Sequence, residues 1–133
     1  NLQTTVKSVG ALARRPALEL QGRAGVLLFF EKQQERSRDG VLTGKLFEYL
    51  ATGRPIWALG IDSTSTVGRL IEENGCGQAF GSGLESTANL KNALKKLLHA
   101  GVPPSRDTRI AADVIHRFDR TKTAIRLIEW ASS

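Results

Sequence analysis

The apolar run Gly25-Val26-Leu27-Leu28-Phe29-Phe30 and the later segment Leu42 to Leu59 decide how this chain folds. Six consecutive residues without a polar side chain match a parallel strand buried on both faces. After a polar stretch, Leu42, Leu46, Phe47 and Leu50 recur at helical spacing, and Gly53 before Pro55 ends that helix. Ile56 to Leu59 is the next strand. A strand, a helix and a second strand in that order make a right-handed parallel crossover unit.

The same alternation extends in both directions. Upstream, Val6 to Gly10 is expected as a short strand and Pro16 to Ala24 as a helix, with Pro16 in its first turn. Downstream, Ser65 or Thr66 caps a helix carrying Val67, Leu70 and Ile71, which ends at Asn74-Gly75. Gln78 to Phe80 is a weaker strand. Leu90, Leu94, Leu97 and Leu98 form one helical stripe closed by Gly101. Ile110, Val114, Phe118, Thr121, Ile125 and Ile128 step by threes and fours, so 105–133 is expected to be a long helical segment. The fold class is α/β, a Rossmann-like parallel sheet with helices on both faces.

Composition narrows the function classes. The 133 residues suit one domain, and 41% hydrophobic with 24% charged residues exclude a disordered chain. A single cysteine, Cys76, excludes a disulfide framework and any multi-cysteine metal site; it is expected as a small buried thiol. No apolar run reaches the ~20 residues of a membrane span. No signal peptide is expected at Asn1, and the lack of any methionine points to a piece of a longer chain. The net charge of +6 favours anionic partners. The one dense charge cluster, Glu31 to Asp39, sums to zero, and aromatics are 6%, so nucleic acid is not an expected partner.

In parallel sheets ligands sit beyond the carboxyl ends of the strands. That limits the search to Gly10–Arg14, Glu31–Thr43 and Gly60–Ser65. The most informative of these runs from Asp39 into the helix at Gly44. Gly40 and Gly44 permit close backbone approach, and the first amides of the helix, with its positive pole, form an anion site. Lys45 adds charge in the first turn. Lys45, Glu48 and Thr52 share one helical face, opposite Leu46, Phe47 and Leu50. Glu48 therefore stands one turn above the anion site, where a carboxylate can accept two hydrogen bonds from a ribose diol. A surface Lys45–Glu48 ion pair is the plain structural alternative.

Two phosphate motifs fail. Only three residues separate Gly40 from Gly44, and Leu46 follows Lys45, so there is no P-loop. Gly75, Gly77, Gly81 and Gly83 do not spell a dinucleotide fingerprint. His99 and His116 lack ligand spacing, and Asp113 and Asp119 read as solvated helix positions. Trp57 is expected in the core, and Trp130 at a core edge or against a further domain.

The segment Lys45-Leu46-Phe47-Glu48-Tyr49-Leu50-Ala51-Thr52-Gly53-Arg54-Pro55-Ile56 resembles the signature in the C-terminal domain of GT-B-fold glycosyltransferases, above all the retaining family 4 group. The flanks Ala17 to Gln21, Ala24 to Leu28 and Val67 to Gly77 are similar to the neighbouring elements of that domain.

The resemblance implies that residues 1–133 are part of a C-terminal, donor-binding GT-B domain. The donor substrate is a nucleotide diphosphate-sugar, with no separate cofactor and no metal, and a separate N-terminal domain binds the acceptor. Glu48 would hold the ribose hydroxyls. Thr43, Gly44 and Lys45 would meet the diphosphate. Asp39, Gly40, Val41 and Leu42 would form the donor-sugar loop, with Glu31 to Asp39 a mobile loop at its mouth. Ala11, Leu12 and Arg14 would lie against the nucleobase. Gly40 stands where the family has its first glutamate, with Asp39 adjacent.

Two strands of the family's domain have no counterpart here, so Val6 to Gly10 is expected to pair beside Gly25–Phe30 or in a strand-exchanged homodimer. The implied setting is cytoplasmic polysaccharide biosynthesis, with peripheral membrane contact left open. A non-catalytic module of the same fold and a sugar-nucleotide epimerase are the alternatives.

Overall fold

The computed structural model describes residues 6–30 and 42–101, together with 112, 116 and 117. Asp39, Gly40, Val41, the loop 31–39, Asp113, Asp119, Trp130 and most of the expected helix over 105–133 lie outside the described residues.

Chain order is α1 (Arg14–Arg23), β1 (Leu27–Phe30), α2 (Gly44–Ala51), β2 (Ile56–Leu59), α3 (Thr66–Glu73), β3 (Gly77–Phe80) and α4 (Leu84–Ala100). The three strands form a parallel sheet in the order β1-β2-β3. Helices flank it, as the alternating sequence pattern implies. Leu27 pairs with Ile56 and Phe30 with Leu59; Ile56 in turn pairs with Gly77 and Leu59 with Phe80.

That register divides the side chains. Leu27, Phe29, Ile56 and Ala58 share one face, on which α2 contributes Leu46, Tyr49 and Leu50, and α3 contributes Val67 and Ile71. Leu46, Ile56, Ala58, Val67 and Ile71 are wholly buried there. Phe29 and Tyr49 meet edge to face at 6.3 Å. Trp57 and Phe80 make a second T-shaped pair at 5.7 Å on the opposite face, where Leu28 and Phe30 stay 45% and 64% exposed. β1 is thus buried on one face only, rather than on both.

Helix boundaries follow from local chemistry. Ser65 is buried and its Oγ accepts the Gly68 amide at 3.0 Å, which caps α3. The end of α3 is closed at Gly75, in the left-handed region at φ 61°, with the Cys76 amide donating to the Ile71 carbonyl at 2.7 Å. Cys76 is buried, as its type suggests.

One further expectation needs correction. Val6 to Gly10 is not a strand: the segment is exposed, with Val6 at 71%, and pairs neither with β1 nor with any other strand among the described residues. Its two valines have no sheet face to fill, so β propensity alone does not hold it. The leucine stripe lies on α4, which ends at Gly101 as expected, with Leu90 and Leu97 half-buried. No residue of α4 is buried, and Leu94 and Leu98 are 43% and 81% exposed.

Candidate functional site

The start of α2 stands on the carboxyl side of β1 and is open. Thr43 is its N-cap, in extended conformation, and its Oγ1 accepts the Leu46 amide at 3.4 Å. The Thr43 carbonyl accepts from the Leu46 and Phe47 amides at 3.0 and 3.4 Å. Gly44 and Lys45 are exposed, and their amides have no acceptor among the described residues. No acidic residue lies in the first turn, so the positive pole of the helix is uncompensated there. Nothing in the chain lies within 4 Å of the position a Gly44 side chain would take.

Glu48 lies one turn further along, half-buried on the rim rather than turned into the core. Its Oε1 is 3.2 Å from Nη2 of Arg14, the first residue of α1. The Lys45–Glu48 pair does not form. The Lys45 ammonium instead sits 5.6 Å from the centroid of the Tyr49 ring. Thr52, expected on the Lys45–Glu48 face, helps end α2: its hydroxyl donates to the Tyr49 carbonyl at 2.7 Å and accepts the Arg54 amide at 3.1 Å.

The structure therefore brings together Thr43, Gly44, Lys45, Glu48 and Arg14. Leu12 and Ala11 precede Arg14 and are exposed, Leu12 by 42%. Leu42 is half-buried against the core, so its side chain serves packing. Arg15 pairs with Glu19 within α1 at 3.3 Å, away from Glu48. His99 faces its own helix, with Nδ1 2.7 Å from the Lys95 carbonyl. His116 is exposed.

One residue that places the site has no local signal. Arg54 Nε donates to the Gly22 carbonyl at 2.8 Å and so ties the end of α1 to the turn after α2. The bond spans 32 residues, beyond the reach of periodicity. The Arg14–Glu48 contact joins the start of α1 to the second turn of α2.

Chemically, the rim offers two cations, two open amides and one carboxylate. That set can hold an anion next to a diol. Among the described residues no cluster of His, Cys, Asp and Glu could hold a metal ion, and no helix is long and apolar enough to cross a membrane. No family model, curated protein or solved structure matches the chain.

Proposed function

We propose that this chain is part of the donor-binding domain of a GT-B glycosyltransferase, which transfers a sugar from a nucleotide diphosphate-sugar to an acceptor hydroxyl. The observation that carries this reading is the open start of α2 with Glu48 one turn above it on the solvent side. The diphosphate lies against the amides of Gly44 and Lys45, with the Lys45 ammonium swinging off Tyr49 to meet it. The Glu48 carboxylate accepts both ribose hydroxyls. Charge accumulates on the diphosphate as the glycosidic bond to the sugar breaks, and fixed amides and cations stabilise that charge without reorganising. The sequence resemblance of Lys45–Ile56 supports the same assignment. In this reading acceptor binding belongs to a separate domain.

Arg14 already occupies Glu48, and this favours a second reading, a non-catalytic module in which the pair only clasps α1 to α2. A titration of the folded chain with uridine, guanosine and adenosine diphosphates, followed by backbone amide NMR, separates the two. Donor binding moves the Gly44, Lys45 and Glu48 signals with one of the three. Unmoved signals up to several millimolar ligand support the non-catalytic module.

A further inference from the structure

A second concavity lies at the other side of the sheet. A cleft of about 640 Å³ runs along the outer edge of β3, between α3 and α4. It reaches the carboxyl ends of β2 and β3, where Asp62 and Gly81 line it, the region in which parallel sheets hold ligands. Its walls are made by Glu72 of α3, Gln78 of β3, and Ser86, Asn89, Asn92 and Lys96 of α4. The α4 residues recur at intervals of three and four, so they form one flank of that helix.

The edge is blocked to strand addition at one of its outward amides. Glu72 Oε1 accepts the outward Ala79 amide at 2.9 Å, which also fixes the carboxylate in the wall. Asp62 is held similarly, with Oδ1 accepting the Thr64 amide and hydroxyl at 2.9 and 2.8 Å. Gln78, Ser86, Asn89 and Asn92 have no side-chain partner among the described residues and face the cleft uncommitted.

This lining discriminates between ligand classes. Asp62, Glu72 and Glu85 set three carboxylates against the single ammonium of Lys96, and Glu85 in the first turn of α4 offsets the positive pole of that helix, so a phosphate or other anion is disfavoured. Phe80 is 4% exposed and is the one ring in the wall, so a nucleobase finds no face to stack on, and the exposed Leu84 is the one large apolar side chain open there, too little to hold an apolar ligand. The carboxylates do not converge as a metal site among the described residues. What remains is a ligand dense in hydroxyls. Carboxylates accept from such groups, while amide side chains donate to one hydroxyl and accept from its neighbour.

We infer that the β3-edge cleft binds a neutral oligosaccharide. This does not rest on the donor assignment, since no residue of α2 takes part. The site is shallow and lacks an exposed aromatic platform, so binding of a tetrasaccharide is expected to be weak.

The test is a backbone and side-chain amide NMR titration with maltotetraose, cellotetraose and chitotetraose in turn. At least one of the three is expected to shift Gln78, Ser86 and Asn89 saturably. The Asn89→Ala/Asn92→Ala double variant is expected to weaken that binding by about ten-fold or more. Both positions are exposed on a helix, where alanine favours the fold. The inference is overturned if none of the three sugars moves those signals by about 20 mM. It is equally overturned if the shifts map to α2, or if the double variant binds like the parent. A failure of nucleotide binding at Gly44 leaves this outcome unaffected.

Discussion

Arg14 reaches from the first residue of α1 to Glu48 in the second turn of α2, closing to 3.2 Å with side chains 79% and 34% exposed. An ion pair that open to water contributes little to stability. Arg14→Ala and Glu48→Ala are each expected to lower the urea unfolding free energy by less than about 1 kcal/mol. A larger loss would make the pair a structural clasp and remove the reason to regard Glu48 as held ready for a ligand.

Two glycines are required by close approach. A methyl on Gly77 would run into the backbone of Ile56, and one on Gly68 into Asp62 and Ser63. Both obstacles are main chain, which cannot step aside as a side-chain end can. Gly68→Ala and Gly77→Ala are each expected to cost about 2–3 kcal/mol in denaturant titrations. Gly44→Ala, with open space around it, is expected to be neutral or stabilising by up to about 1 kcal/mol.

The two helix caps differ in strength. Ser65 is 6% exposed and its bond to the Gly68 amide is 3.0 Å, whereas Thr43 caps α2 at 3.4 Å. Ser65→Ala is expected to destabilise by about 1–2 kcal/mol and Thr43→Ala by about 0.5 kcal/mol, measured by thermal or urea unfolding. A Thr43 effect as large as that of Ser65 would mean the start of α2 is less open than its geometry implies.

Asp62 gives the fold an acid-sensitive contribution. The Thr64 amide, then the Thr64 hydroxyl, donate to its carboxylate and hold it below its usual value of 3.8. A carboxyl lowered by folding stabilises the native state above its unfolded value, and that contribution disappears as pH falls through the lowered one. The stability gap between the parent and Asp62→Ala is therefore expected to be constant at neutral pH and to shrink below about pH 4. A gap that persists unchanged at pH 2 would contradict this.

Much of the fold is legible in the sequence because its signals are local. Ile56 to Leu59 is a strand with the limits its apolar run implies, and Ser65 and Gly75 mark the ends of α3 as their chemistry requires. Val6 to Gly10 fails because a strand needs a partner, and partnership is not encoded in two valines. The helix α4 and its end at Gly101 follow from the leucine spacing, which identifies an apolar stripe without saying what covers it. At the site, Glu48 and the open start of α2 follow from helical spacing. Arg14 as its partner and Arg54 as the tie to Gly22 do not, because both contacts join distant parts of the chain. The β3-edge cleft is likewise a product of how α3 and α4 border the sheet, not of any motif.

The central claim is that Glu48 accepts a ribose diol beside a diphosphate held at the start of α2. It is tested most directly by calorimetric titration with a nucleoside diphosphate and its 2′,3′-dideoxy counterpart, on the parent chain and on Glu48→Ala. The parent is expected to bind the diol form about ten-fold or more tightly than the dideoxy form, and Glu48→Ala to bind both equally weakly. Equal affinity of the parent for the two nucleotides, or a preference that survives in Glu48→Ala, would contradict the donor-site account.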